Sequence, residues 1–312
     1  MEVSGWLWAV TLIGLVAIIV IDLVIVDRRP HAFQMREATI WVSVYVALAG
    51  AFALFLWFAF SGSWSISFVT AYLTEYSLSV DNLFVFMLIM GSFAVPSGYQ
   101  HRVLLVGVVI ALILRGVLIV IGAELISRFT WIFFIFAAFL MFTAVQVWTG
   151  NEKEPNPEGN LLVRTIARRF PTTTHYDGAR LVTRLDGRRA LTPMALVMVA
   201  IGTTDLIFAV DSIPAVFGIT QEAYLVFAAN AFALMGLRQL YFLLQGVLGR
   251  LRYLSKGLAV ILAFIGIKLA LEATHELFDV PVPLVPSWLS LLVIVVVLLA
   301  VILASARRME ED

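Results

Sequence analysis

Nine apolar runs dominate this chain, at residues 5–26, 39–60, 66–90, 103–123, 129–149, 191–213, 222–245, 257–274 and 288–304. A run of about 20 such residues, coiled as a helix, crosses the hydrocarbon core of a bilayer. In that solvent each backbone N–H and C=O must be satisfied within the protein, which leaves helices or a closed barrel. Barrel strands alternate apolar and polar residues over about 10 positions, and no such alternation is present. The runs predict an all-α fold, a polytopic transmembrane helical bundle of about nine spans. The hydrophobic share agrees: it is 62%, against about 45–50% in soluble domains. The first run is too long for a signal-peptide core and lacks a convincing small-residue cleavage site, so it reads as the first span.

Basic residues set the orientation. Seventeen of the twenty-one Lys and Arg fall in connections on one side, from Arg28, Arg29 and Arg36 through the cluster Arg180, Arg184, Arg188 and Arg189 to Arg307 and Arg308. The other side has Arg128, while Arg115, Arg238 and Lys268 lie within spans. The positive-inside rule then places the N-terminus outside and the C-terminus in the cytoplasm. A membrane bounding the cytoplasm, crossed many times, is the expected location. Trp6, Trp8, Trp64 and Trp288 fall near span ends, as interfacial belt residues do.

The 150–190 connection is the one sizeable loop, expected on the cytoplasmic side. Turn signals occur at Asn156-Pro157-Glu158-Gly159 and at Pro171-Thr172-Thr173-Thr174. Leu161 to Phe170 predicts a short basic amphipathic helix on the inner leaflet, and Arg184 to Arg189 reads as a surface turn. The last run, 288–304, has no ionisable group and reads as a terminal, lipid-facing anchor.

Two stretches stand out against this apolar background. Thr74-Glu75-Tyr76-Ser77-Leu78-Ser79-Val80-Asp81-Asn82-Leu83 and Thr204-Asp205-Leu206-Ile207-Phe208-Ala209-Val210-Asp211-Ser212-Ile213 read as copies. Each sets two carboxylates six residues apart, with Val before the second and Asn or Ser after it. An ionised acid at the centre of a span costs roughly 2.5–3.5 kcal/mol on insertion scales, so four amount to about 10 kcal/mol unless compensated. The span after each stretch carries an arginine near glycine, Arg115-Gly116 and Gly236-Leu237-Arg238. The repeat unit is thus three spans, 66–149 and 191–274. An odd number of spans per unit makes the copies run in opposite directions, an inverted repeat of the kind that places a transporter's substrate site near the midplane. The whole chain, 1–312, is expected to form a single membrane domain.

Six residues along a regular helix turn about 600°, leaving the acids of each pair about 120° apart. Either the helix is broken there or each acid faces a different neighbour. Ser77, Ser79 and Asn82 favour local unwinding in the first copy, and Gly202 and Pro214 flank the pair in the second. The donors are hard oxygens: Glu75, Asp81, Asp205, Asp211, Asn82, Ser212, Thr74 and Thr204. His31, His101, His175 and His275 fall in loops or at span ends. Such oxygen-rich sets suit Mg, Ca and Mn, whereas Zn and Cu recruit imidazole or thiolate. Four negative charges less Arg115 and Arg238 leave two, which matches one divalent cation. Lys268, four residues before Glu272, is expected to pair with it. Two other readings stand beside the cation site: structural ion pairs in which Arg115 and Arg238 each hold one acid, and a proton relay. Asp22 reads as an interfacial acid, Asn230 as a helix–helix hydrogen bond or a further ligand, and Met87 and Met90 as packing.

Composition excludes other classes. Net charge is zero and gives no basic face for nucleic acid, and cysteine is absent, which removes disulfides, thiol redox chemistry and thiolate ligation. No G-x-x-x-x-G-K-[ST] stretch occurs, so ATP is not expected to drive the protein. A proton gradient is the drive left by elimination.

From Glu75 to Phe86 and from Thr203 to Val216 the sequence resembles the TerC/Alx family of bacterial integral membrane proteins, distantly similar to the lysine-exporter superfamily. Span pattern and central hydrophilic loop agree along nearly the whole chain. The resemblance implies manganese export, with the acids of the two motifs forming the path. The expectation is a transporter rather than an enzyme, with Mn2+ as cargo and no bound cofactor. Glu75, Asp81, Asp205 and Asp211 would bind the ion, Asn82 and Ser212 would assist, and Arg115 and Arg238 would pair with the acids when it leaves. The competing expectation is a membrane assembly or stress-response factor that docks with or metallates secreted proteins, akin to a tellurium-resistance role.

Overall fold

The computed structural model describes residues 4–27, 35–150, 161–178, 180–185, 188–244, 253–278 and 280–308. Some side chains within these ranges lie outside the description, among them those of Asp22, Asp81 and Asp211. The expectations for His31, Arg28, Arg29 and the turn at 156–159 also fall outside it.

The described residues form ten helices and one hairpin. The helices are α1 (Gly5–Asp27), α2 (Met35–Ala59), α3 (Gly62–Ser92), α4 (Ser97–Arg128), α5 (Ile132–Thr149), α6 (Leu161–Arg169), α7 (Pro193–Phe217), α8 (Ala223–Leu244), α9 (Leu254–Phe278) and α10 (Ser287–Arg308). Eight of them, α2 to α5 and α7 to α10, are long and apolar enough to cross a membrane. In α1, which is 23 residues long, the fully described apolar stretch Gly5–Ile21 is shorter than these eight. The nine expected spans are therefore nine long helices, eight of which meet the span criterion on described residues alone.

Helix ends follow local chemistry. Ser61 caps α3, its Oγ accepting from the Trp64 N–H at 3.4 Å. The end of α3 is closed by Ala94, which takes the left-handed conformation (φ 48°) while the N–H groups of Ala94 and Val95 return to the carbonyls of Gly91 and Met90. This is the wrap that glycine usually makes. Gly150 closes α5 at φ 67°.

The expected unwinding within the acid motifs is not found. Both α3 and α7 run as continuous α-helices through them. Of the residues expected to favour a break, Ser77 bonds back onto its own helix, as do the neighbouring threonines. Thr70 Oγ1 donates to the Ile66 carbonyl at 2.7 Å, Thr74 to Thr70 at 2.9 Å and Ser77 to Leu73 at 2.6 Å. In α7, Thr203 does the same to Val199 at 2.8 Å. Such bonds satisfy a hydroxyl in an apolar span without opening the ladder. Pro214 lies inside α7, three residues before its end, and supplies no N–H to the Val210 carbonyl, yet the helix continues past it to Phe217.

Four helices frame the centre. α3 packs against α7 and α8, and α4 packs against the same two, so α3 and α4 face each other across the frame. α2 covers α3 and α8, while α5 lies along α9. α10 packs on α3 and α9, where Ser67 Oγ donates to Ser287 Oγ at 3.2 Å. The anchor span is therefore lipid-facing on one side only. Small residues let α4 approach α7. A Cβ on Gly107 would sit 2.9 Å from Ile201 Cγ2, and one on Gly122 would sit 2.9 Å from Phe217 Cε2.

In the central loop, the basic amphipathic segment forms α6 as expected. The segment read as a surface turn is larger than that. Val182–Leu185 and Arg188–Leu191 pair antiparallel as β1 and β2, with the turn itself outside the described residues. The hairpin is fastened to the bundle by the Thr192 hydroxyl on the Arg180 carbonyl (2.6 Å) and by Tyr176 Oη on the Phe93 carbonyl (2.7 Å). Thr183 Oγ1 donates to Asp177 at 2.7 Å, and that bond, with Arg180 beside it, holds the Asp177 carboxyl below its ordinary range.

Candidate functional site

The frame of α3, α4, α7 and α8 is apolar along most of its inner surface, so the polar groups inside it are conspicuous. α3 contributes Glu75, fully buried, with Ser79 one turn further on the same face. α7 contributes Asp205 (1% exposed) and, two turns on, Ser212 (1% exposed). α4 contributes Arg115, fully buried. Its position follows from the close α4–α7 approach that the glycines permit and from the contact of Phe227 in α8 over Gly116.

Arg115 spans the frame. Its Nε and Nη2 donate to the two carboxylate oxygens of Asp205, at 3.3 and 3.2 Å, in a side-on fork. Nη1 donates to Glu75 Oε1 and also to Ser212 Oγ, the latter at 3.3 Å. One guanidinium therefore holds the first acid of both motifs. For Arg115 this differs from the reading in which each arginine takes one acid, since Arg115 takes two. Sequence spacing could not show it, because it depends on α4 lying opposite α3 with α7 between them. A planar guanidinium with five donors serves two carboxylates at once here, one of them through a side-on fork that a lysine cannot make.

The triad carries two carboxylates and one guanidinium, a formal charge of −1, inside a water-poor frame. Removing the guanidinium from such a buried arrangement costs about 3–5 kcal/mol, because the carboxylate charges are left uncompensated. The second oxygen of Glu75, Oε2, has no hydrogen-bond partner among the described residues, and neither does Ser79 Oγ. Asn230 of α8 is 2% exposed, and neither its amide oxygen nor its nitrogen has a partner among the described residues. Of the two expectations for Asn230, the helix–helix hydrogen bond is not made among the described residues.

The other expected site residues are placed as follows. Asn82 and Thr204 are buried, at 8% and 6% exposure, and Thr74 is committed to its own helix. Asp81 and Asp211 belong to α3 and α7, but their side chains lie outside the description. Arg238 is buried on α8, beside Tyr45, Leu105 and Val108. With the Gln239 amide turned to its better-bonded orientation, its oxygen accepts from Arg238 Nη2 at 2.8 Å. Among the described residues no group of three or more His, Asp or Glu is arranged to hold a metal. Lys268 meets Glu272 at 3.5 Å, as its spacing predicts, and its Nζ also lies 3.5 Å from the Ile219 carbonyl. Met90 is packed in the core, as expected.

Comparison with known proteins fits this membrane architecture. Residues 60–312 match the model of the integral membrane protein TerC family. An uncharacterized membrane protein of Myxococcus xanthus is 38% identical over 268 residues, covering 86% of this chain and 84% of its own. An uncharacterized membrane protein of Mycobacterium tuberculosis H37Rv is 44% identical over 281 residues, covering 88% and 70%. A protein of Escherichia coli K12, provisionally named membrane-bound redox modulator Alx, is 39% identical over 285 residues, covering 88% of each chain. No solved structure matches. The chain is a multi-pass integral membrane protein and belongs to the TerC family.

Proposed function

We propose that this chain is a secondary transporter that exports a divalent cation, Mn2+ above all, through the centre of the α3–α4–α7–α8 frame in a bacterial cytoplasmic membrane. The observation that carries the reading is the meeting of Glu75 and Asp205, one acid from each motif, on the single buried guanidinium of Arg115. A structural ion pair needs one acid per arginine. Two acids on one arginine keep an excess of negative charge at the centre of a membrane protein, where it is costly. The cost is met when a cation occupies the same carboxylates in turn with the guanidinium. Glu75 and Asp205 bind the ion, Asp81 and Asp211 complete the charge, Asn82 and Ser212 add oxygen donors, and Arg115 and Arg238 take the acids back as it leaves. Oxygen donors with no imidazole or thiolate among them favour Mn, Ca and Mg.

The packing supports an inverted repeat. Exchanging α3 with α7, α4 with α8 and α5 with α9 preserves the larger contacts: α3 on α8 becomes α7 on α4, α5 on α7 becomes α9 on α3, and α5 on α9 maps onto itself, whereas the small contacts α4 on α5, α7 on α8 and α7 on α9 have no counterpart of similar extent. A site on that axis is accessible to either side by a small rearrangement of one unit against the other. Export from the cytoplasm and the preference for Mn2+ come from the family resemblance. The printed name of the Escherichia coli relative describes redox modulation. A thiol-based form of that activity has no cysteine to act through in this chain.

The experiment is the metal content of cells that lack their own manganese exporter, with and without this protein, challenged in turn with Mn, Ca, Mg and Zn. Wild type should lower intracellular Mn and Asp211→Asn should not. No change in any metal, with both proteins expressed and inserted, withdraws the transport reading in favour of a docking or assembly role.

A further inference from the structure

We infer that Ser79 on α3 is a further ligand of the cation site, its hydroxyl oxygen acting beside Glu75 Oε2, and that this neutral oxygen tunes the choice between hard and soft divalent cations. The inference rests on the transport reading and deepens it.

Its position follows from the contacts on either side of it. Ser79 lies one helical turn from Glu75, about 6 Å along α3 and about 40° around it. Side chains so spaced are neighbours, with Cβ atoms about 5–6 Å apart. The face they share is turned to α7 both before and after Ser79. Before it, Glu75 and Ser212 of α7 accept from the same Arg115 Nη1. After it, Phe86, about 20° around the helix from Ser79, sets its ring 6.4 Å from that of Phe208. The later residue on α3 thus meets the earlier one on α7, so the two helices run antiparallel here. Ser79 therefore stands on the α7-facing side of α3, between the level of Ser212 and that of Phe208, and one turn from the carboxylate held by Arg115.

Bonding sets Ser79 apart from its neighbours. Every other serine and threonine hydroxyl of α3 is hydrogen-bonded among the described residues, four of them to the carbonyl one turn back. Ser79 has the same acceptor at hand in the Glu75 carbonyl and does not take it. Its Oγ is buried and has no partner among the described residues, and the adjacent Glu75 Oε2 has none either. A buried polar atom left unbonded is costly, and here two stand side by side. Packing does not call for the hydroxyl. Aligning the motifs on Glu75 and Asp205 sets Ser79 against Ala209, which is itself fully buried, so a methyl fills this position in the other copy. A carboxylate oxygen and a neutral oxygen on successive turns of one helix, both bare, suit a cation that takes hard oxygen ligands and comes and goes.

The test uses purified protein in liposomes containing a dye that reports Mn2+ and Cd2+, and compares wild type, Ser79→Ala and Ser79→Cys. Ser79→Ala should raise the apparent KM for Mn2+ about fivefold or more, as loss of one oxygen ligand does, while its thermal stability in detergent stays equal to or above that of wild type. Ser79→Cys exchanges a hard ligand for a soft one and should shift the preference toward Cd2+ over Mn2+ by about tenfold or more. The chain has no other cysteine, so thiolate-to-Cd2+ charge-transfer absorption in this variant, absent from wild type, reports the contact directly. Wild type that carries Mn2+ alongside an unchanged KM in Ser79→Ala, or no gain for Cd2+ in a folded Ser79→Cys, overturns the role of Ser79 and leaves the transport reading standing. Loss of stability and of transport together in Ser79→Ala assigns the hydroxyl to the fold and overturns the inference. Wild type that carries no divalent cation removes both readings.

Discussion

Replacing Arg115 by methionine isolates the electrostatics of the central triad. Methionine matches much of the arginine stem in volume and removes the guanidinium, so packing against α7 and α8 changes little. What changes is the company of two carboxylates. Asp205 loses a two-bond fork at 3.2 and 3.3 Å, and Glu75 loses its ion pair. Both acids are essentially inaccessible to water. The expected cost is about 3–5 kcal/mol, the penalty for stranding a buried charge. The assay is reversible unfolding in mixed detergent micelles, with helix content as the signal. Substituting Glu75→Gln and Asp205→Asn on top of Arg115→Met removes the stranded charges and should return at least half of the loss. A double-mutant cycle separates the partners. Arg115 with Asp205 should show a coupling of about 2 kcal/mol or more, and Arg115 with Ser212, joined by one bond at 3.3 Å, should show about 1 kcal/mol or less. A cost below about 1 kcal/mol for Arg115→Met, or no recovery in the triple variant, would refute the claim that one guanidinium neutralises both motifs.

Other perturbations follow from local geometry. Gly107→Ala places a methyl 2.9 Å from Ile201 Cγ2 and must push α4 from α7, costing about 1–3 kcal/mol; Ile201→Ala in the same chain should recover part of it, and thermal unfolding of the single and double variants reads both. Ala94→Gly relieves the left-handed conformation at the end of α3 and should raise stability by up to about 1 kcal/mol in the same assay. The absence of native cysteine allows clean single-cysteine labelling: with the N-terminus outside, a membrane-impermeant thiol reagent should reach Thr174→Cys only from the cytoplasmic face and Trp131→Cys only from the external one. Labelling of both from one side would contradict the orientation drawn from the basic residues.

The spans were legible because a bilayer imposes a length, and each long helix overlaps an apolar run in the sequence. Their ends were less so. α4 extends from Ser97 to Arg128, beyond the run at 103–123, because polar residues such as Gln100 and Arg128 continue a helix once it leaves the hydrocarbon. The hairpin at 182–191 was read only as a turn, since two four-residue strands rich in arginine carry no alternation to detect. The acid motifs were visible as copies, but their conformation was misjudged. Ser77, Ser79 and Asn82 look like breakers in a sequence, yet the helix runs on through them, and the Ser77 hydroxyl takes the carbonyl one turn back as its acceptor. The pairing of Arg115 with both Glu75 and Asp205 depends on three helices far apart in sequence, and no local pattern encodes it. Asn230 was noticed as a polar residue within a span; only the structure shows that its amide has no partner among the described residues.

The central claim is that Glu75 and Asp205 form the path of a divalent cation, with Arg115 as their exchangeable partner. The most direct measurement is Mn2+ entry into liposomes reconstituted with wild type or with Glu75→Gln, a change that keeps shape and removes one charge. The account predicts saturable Mn2+ flux in wild type, competed by the cation, and a loss of at least about tenfold in Glu75→Gln protein that unfolds at an unaltered or higher temperature. Undiminished flux in a folded Glu75→Gln protein would contradict it.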